Sequence, residues 1–373
     1  MTEPQDDLIA SPFTEPGKPS RREVMKGMAG AALGIAAFAR SAYSQTPDFS
    51  AIPLNAAKKY PPIPHWKTEL KQLAPNVYAY CQSLDVARPV DIANAGMIAG
   101  PDHLLAIDAM AWPLHVKAFI AASKQATGKN FGRLLNTHQH SDHVMGNQYF
   151  APAEIVSHEY CRGEVLKMKG TRWPKTEGQA DGGEAFIPTP PTVTINDRMT
   201  YYYGDLQVNF MWVGRPAHTW GDIMVHLPQH KILFAGDIAF HYVTPVAQSG
   251  HVSSWIETVD KVLDMPDVET IVPGHGLLGG KKELADMREY LVILKREARK
   301  RFDAGVSAGR AAAEIDMGKY ELWARSERAA TNVVRLYAEF DGTIQPSSPP
   351  ETQRRAMDEF LKLRKMTPPS MPR

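Results

Sequence analysis

Between residues 134 and 147 the chain reads LLNTHQHSDHVMGN, and this stretch limits its choice of fold more than any other. His138, His140, Asp142 and His143 are crowded together directly after a short apolar run that reads as a buried strand. Alternate side chains of an extended segment point the same way, so His138 and His140 can reach one cation together. As the chain turns, Asp142 and His143 can face a second. Imidazole nitrogens with a carboxylate suit zinc, and equally iron or manganese. Two ions need more ligands than the motif holds, so the fold must deliver others from distant sequence.

Three later residues stand in settings that can deliver them. His218 lies in GRPAHTWGD after a strand-like segment, and Asp237 in KILFAGDIAF at the end of a very apolar one. His275 lies in ETIVPGHG, flanked by glycines that let the backbone approach closely. Taken singly, each also reads as a turn residue, a helix cap or a hydrogen-bonded loop histidine.

The surrounding pattern is of strands mixed with helices. NVYAYCQS, ANAGMIAG, HLLAIDA, RLLNT and AEIVSH read as strands, as do MTYYYG, LQVNFMWV, DIMVHLP, KILFAGD and VETIVPGHG. WPLHVKAFIAASKQA, EYCRGEVLKMKG and VSSWIETVDKVLDM read as helices. In KKELADMREYLVILKREARKRF, Leu284, Met287, Leu291 and Leu294 form one apolar helix face. Two blocks of strands and helices, with every candidate ligand in a loop after a strand, suggest two sheets packed face to face with helices outside. Residues 45–75 are proline-rich and read as an extended arm, residues 281–345 as a helical extension, and residues 346–373 as a loosely packed tail.

Charge excludes one class of partner. Forty-two basic and 41 acidic residues give a net charge of +1 without charged blocks, which offers no footprint for nucleic acid. Two cysteines, Cys81 and Cys161, are too few for a cysteine-rich zinc module. They read as small buried hydrophobes, with a single bridge open to them in an oxidising compartment. The N-terminal SRREVMKGMAGAALGIAAFARSAYSQ pairs Arg21-Arg22 with a short Gly/Ala-rich apolar run. Ala42 and Ser44 stand at the −3 and −1 positions for cleavage, so residues 1–44 read as a twin-arginine export signal and the mature chain as periplasmic.

The succession HTHQHSDH, AHTWGD, FAGD and VPGHG, spread over residues 76–280, resembles that of the metallo-β-lactamase-fold hydrolases. The resemblance implies an α+β fold, a four-layer αβ/βα sandwich with a two-metal site at one sheet edge and the helical extension beyond it. It assigns His138, His140 and His218 to a first zinc, Asp142, His143 and His275 to a second, and Asp237 to a bridge between them. Such a pair of ions turns a shared water into hydroxide at neutral pH, which then attacks an acyl carbon, with Asp142 orienting it. Tyr242, beside His241, is the candidate hydrogen-bond donor to the oxyanion or leaving group, in the general region where related lactone hydrolases carry a tyrosine. His251 and Trp255 are weaker candidates, and His226 and His230 read as surface residues. The 171–191 stretch, with Trp173, reads as a flap or a plain surface loop.

A carboxylate at Asp237, where β-lactamases of this fold carry Cys or Ser, is similar to the thioesterase, lactonase and phosphodiesterase branches. Trp220 stands where relatives place proline. The expected function is an exported dinuclear zinc hydrolase of a small ester, lactone or related acyl substrate, with a β-lactam side activity open. The alternative is a sulfur dioxygenase-like oxidoreductase that uses one iron.

Overall fold

Thirteen strands and nine α-helices form among the described residues, which in this computed structural model are 54–83, 92–169 and 184–366. The first sheet takes its strands in chain order: β1 (Glu69–Ala74), β2 (Val77–Cys81), β3 (Ala95–Ala99), β4 (Leu104–Ile107), β5 (Phe131–Leu135), β6 (Glu154–His158) and β7 (Val193–Ile195). Pairing is antiparallel from β1 to β4 and parallel from β4 to β7. The second sheet has the order β13-β12-β11-β10-β9-β8, built from β8 (Arg198–Tyr203), β9 (Leu206–Trp212), β10 (Ile223–Leu227), β11 (Ile232–His241), β12 (Thr270–Gly276) and β13 (Gly279–Gly280). Only β11 and β12 pair in parallel within it.

The helices are α1 (Leu54–Lys59), α2 (Pro113–Thr127), α3 (Ser141–Val144), α4 (Glu159–Lys167), α5 (Val252–Asp264), α6 (Lys281–Asp303), α7 (Ala308–Glu314), α8 (Ala329–Phe340) and α9 (Pro350–Leu363). None is long and apolar enough to cross a membrane.

Strand alternation explains the layering. In β4, Leu105 and Ile107 point into the space between the sheets and meet Val208, Phe210, Val225 and Phe234 of the second sheet. Leu104 and Ala106 point the other way, under Val116 and Phe119 of α2. The far face of the second sheet is covered by α5 and α6, with α8 packed against those helices, through Trp255, Val259, Leu284, Leu291, Val333 and Leu336. Each such side chain contributes about 1.5–3 kcal/mol when fully buried. The result is the four-layer αβ/βα sandwich with its helical extension, as the sequence leads one to expect.

Three boundaries differ from the sequence reading. The first sheet starts at Glu69, inside the stretch read as an extended arm. Pro75-Asn76 makes a two-residue turn with Asn76 at φ 64, so β1 folds back on β2 as a hairpin. The tail read as loose contains α9. Gln353, Ala356, Phe360 and Leu361 recur at helical spacing and are buried, a pattern masked in the sequence by the Pro and Ser residues before it. The strand that carries Asp237 does not end there: β11 runs on to His241. The export signal, residues 171–183 with Trp173, and residues 84–91 lie outside the described residues. Of the 171–191 stretch the structure describes only 184–191, where Glu184 meets Lys117 and Tyr149 and Ile187 is exposed.

Candidate metal centre

Past Leu135 the chain leaves β5 and is pinned at each step. The amide and hydroxyl of Thr137 donate to the two oxygens of Asp108, at 2.7 and 2.8 Å. Asn136 Nδ2 donates to the His143 carbonyl at 3.2 Å and to Asn147 Oδ1 at 2.9 Å. His140 is extended (φ −62, ψ 147), and the single turn of α3 then swings Asp142 and His143 inward. His138, Asp142 and His143 are buried, whereas His140 is half-buried.

The second sheet supplies the remaining groups. His218 follows β9, in a loop fixed by Asp222, which accepts from the amide and hydroxyl of Thr219 at 2.7 and 2.6 Å. Asp237 sits where the β11–β12 ladder shifts register, after Gly236 at φ 51. Its carboxylate fits because residue 274 is glycine: a Cβ there would lie 1.9 Å from Asp237 Oδ1. His275, the next residue on β12, is held by the contact of its Nδ1 with the Ile92 carbonyl, 3.1 Å away.

All seven side chains converge as two adjoining groups. His138, His140, His218 and Asp237 form one, and Asp142, His143 and His275 the other, with the ligand atoms of each group within 4.8 Å of one another. In the first group His140 Nδ1 lies 3.1 Å from His138 Nε2 and 2.8 Å from His218 Nε2, while Asp237 Oδ2 lies 3.1 Å from His218 Nε2. In the second, His275 Nε2 is 3.1 Å from Asp142 Oδ2, and His143 Nε2 is 3.1 Å from Asp237 Oδ1. Asp237 therefore faces both groups: Oδ1 meets His143, while Oδ2 lies against His218 and also 3.4 Å from His275 Nε2. Donors around a tetrahedral zinc at about 2.0–2.1 Å stand about 3.3 Å apart, which these spacings match. His143 Nε2 and Asp237 Oδ1 are also buried without a hydrogen-bond partner, as expected of atoms shaped for a cation.

Electrostatics divides the histidines. Burial, reinforced by the neighbouring rings, lowers His138 well below the usual range and His140 to about 3, leaving both as neutral lone-pair donors. Burial opposes charge on His143 and His275 too, but the carboxylates outweigh it. Asp237, Asp108 and Asp142 raise His143 well above normal, and Asp237 with Asp142 raises His275 to about 9. Burial likewise works against ionised Asp237 and Asp142, and the facing histidines still hold both carboxyls low.

Without a cation, the second group is thus held together by protons. A metal must expel them, so its affinity should fall as pH drops below about 9, by about tenfold per pH unit for each proton displaced. Calorimetric titration of the metal-free protein with zinc, in buffers of differing ionisation enthalpy, should register proton release at pH 7. Binding without any release would contradict this picture of the group.

Asp108 is the functional residue that the sequence reading missed. It is buried, adopts φ 63, and places Oδ2 2.8 Å from His143 Nδ1, which turns Nε2 of that ring toward the cluster. HLLAIDA carried the signal, a carboxylate ending an apolar strand like the one in FAGD. Ser249 also went unremarked; its hydroxyl is 3.2 Å from His140 Nε2.

Other candidates fall elsewhere. Tyr242 (φ 61) pairs with Glu283 of α6; burial first, then that carboxylate, raises its phenol. These contacts lend no support to a part at the oxyanion. His241 is buried with Nδ1 2.9 Å from the Leu277 carbonyl, and burial lowers it to about 4. His251 caps α5, accepting from the Ser254 amide, while Trp255 donates to the Ile238 carbonyl. His226 is not a surface residue: it is buried on β10, with Nε2 3.0 Å from the Asp267 carbonyl. Cys81 and Cys161 are separate, free and buried.

Fold and cluster together define the class: a metal-dependent hydrolase built on an αβ/βα sandwich. The profile of the Metallo-beta-lactamase superfamily matches residues 88–275, and the chain belongs to that superfamily. It is similar to the acyl-coenzyme A thioesterase MBLAC2 of Gallus gallus, 26% identical over 52% of this chain and 75% of that protein. It is also similar to MBLAC2 of Homo sapiens, 26% identical over 37% of this chain and 54% of that one. Hydroxyacylglutathione hydrolase of Brucella abortus is 24% identical over 42% of this chain and 52% of its own. Apart from the chicken protein, then, the chain spans about half the length of these relatives. Among solved structures, the sec-alkylsulfatase Pisa1 from Pseudomonas sp. superposes with a TM-score of 0.56 at 18% identity, covering 74% of this chain and 51% of that one, which is a likeness of fold.

Proposed function

We propose that the chain is an exported dinuclear zinc hydrolase that cleaves the acyl bond of a small thioester, ester or lactone. The observation that carries this reading is Asp237, whose carboxylate lies between the two halves of a seven-residue cluster and contacts histidines of both. His138, His140 and His218 would hold one ion, Asp142, His143 and His275 the other, with Asp237 shared. Bound there, two divalent cations supply Lewis acidity and generate a nucleophile from water at neutral pH.

The protein's own groups do the rest. Neutral His138 and His140 offer lone pairs without first losing a proton. Asp142, ionised and 3.1 Å from His275 Nε2 in the second group, can accept a hydrogen bond from a water and orient it. Gly274 keeps the space around Asp237 clear. A covalent route through cysteine has no support. Burial pushes the Cys81 thiol up to about 12 and Cys161 higher still, so neither is a thiolate at neutral pH. Two relatives, one named a thioesterase and one named for hydrolysing an acyl-glutathione, favour an acyl–sulfur bond within this class.

The zinc-loaded full chain should be assayed against thioesters, lactones, phosphodiesters and β-lactams. Thioesters and lactones are expected to turn over fastest, with β-lactams at most a side activity. Preference for phosphodiesters, or no hydrolysis in the panel, would remove the acyl reading. Support for export is the SRREVMK stretch with its short apolar run. A periplasmic protein beginning at Gln45, found by N-terminal sequencing, is the expected result; intact protein confined to the cytoplasm would overturn it.

A further inference from the structure

The loop from β11 to α5, residues 242–251, lies between the cluster and the C-terminal extension and is gripped from the outside by one face of α8. Arg328, just before the helix, donates to the Thr244 carbonyl at 2.9 Å. Asn332 reads two loop groups at once, donating to the Pro245 carbonyl at 2.8 Å and accepting from the Ala247 amide at 2.8 Å. One turn on, fully buried Arg335 donates through Nε to the Gly250 carbonyl at 2.9 Å. Glu339 then accepts from the Val252 and Ser253 amides, closing the first turn of α5. Positions 328, 332, 335 and 339 advance by four, three and four residues, which is one face of a helix. Buried polar groups in these numbers fix a backbone strongly, because each is costly to leave without its partner.

On its inner side the same loop touches two members of the cluster, both from the first group. Ser249 Oγ is 3.2 Å from His140 Nε2. A metal held by Nδ1 of that ring would leave the hydrogen on Nε2, facing the serine oxygen. The His251 amide donates to the Ala217 carbonyl at 2.8 Å, and a Cβ on Gly250 would lie 3.0 Å from the carbonyl of His218, so the loop lies directly against that residue. The polar contacts that orient the second group come from elsewhere, His143 from Asp108 and His275 from the Ile92 carbonyl; from the α8 side it meets ring packing alone, Arg328 over Phe240 at 6.0 Å and Phe240 stacked on His275 at 4.9 Å.

We infer that α8, through Asn332 and Arg335, is a positioning element for only one of the two metal positions, and that Ser249 is the contact by which it sets the ring of His140. The inference rests on reading the cluster as a dinuclear centre. The C-terminal extension thereby tunes the position held by His138, His140 and His218 and leaves the one held by Asp142, His143 and His275 alone. Ser249 acts through His140 and is a positioning residue, not a catalytic one.

Zinc binding to the metal-free full chain, measured by competition with a chromophoric chelator, tests this. His140→Ala identifies which of the two binding steps belongs to the first group. In Ser249→Ala that step should weaken by about tenfold to a hundredfold, the loss typical of a ligand's hydrogen-bond partner, while the other step holds. The melting temperature of the metal-free protein should not move. Ser249→Thr, which keeps the hydroxyl, should restore the step, and Asn332→Leu should weaken the same step from the helix side. Wild-type affinities at both steps in Ser249→Ala, or equal loss at both, would overturn the inference. A wild-type chain that binds no second zinc would overturn the dinuclear reading itself, and with it this one, so the two failures are distinguishable.

Discussion

In an Asp237→Asn variant, hydrolysis should fall by at least about a thousandfold and neither metal position should fill tightly. Asp237 faces both groups, with Oδ2 3.1 Å from His218 Nε2 and 3.4 Å from His275 Nε2, and Oδ1 3.1 Å from His143 Nε2. An amide of the same shape keeps one oxygen but must turn its NH2 toward the other position, where it repels a cation. It also removes the negative charge that the surrounding histidines stabilise. Metal catalysis of this kind is worth several kcal/mol, and each 1.36 kcal/mol is about a factor of ten in rate. Steady-state kinetics with metal analysis of the same sample checks it. A variant that keeps both metals and a tenth of wild-type activity would show that Asp237 is no bridge.

His140→Ala should separate the two halves. The ring contributes Nδ1 to the first group alone, so the second group keeps Asp142, His143 and His275 intact. Turnover is expected to drop about a thousandfold through loss of one of the two ions, while one zinc per chain is retained. His140 is half-buried and its burial opposes protonation, so its removal strands no charge; circular dichroism and the melting curve should be nearly those of wild type. Undiminished turnover in this variant would place the chemistry elsewhere.

Much of this centre is legible in the sequence because its chemistry is local. His138, His140, Asp142 and His143 come from one extended-then-turned stretch, and the period-two rule already sorts them into two directions. His218, Asp237 and His275 stand beside apolar strands or glycines that announce close packing, and the structure brings them to the same cluster. Asp108 escaped because its partner, His143, lies 35 residues away and nothing local marks a carboxylate as hydrogen-bonded to a ligand. The grip of α8 on the loop escaped for the same reason: its contacts join residues more than 80 positions apart. The hairpin turn at Pro75-Asn76 and the buried stripe of α9 were present as patterns but outweighed by the prolines around them. Tyr242 is a case where sequence proximity says little. It lies five residues past Asp237, yet the partner its phenol meets is Glu283, and its backbone is left-handed at φ 61.

The most direct test is the metal content of the full chain purified without added metal or chelator, by native mass spectrometry with elemental analysis. Two zinc ions per chain, both lost together in Asp237→Asn, is the expected result. A single iron per chain, or no bound metal in a protein that still hydrolyses acyl substrates, would contradict the dinuclear centre.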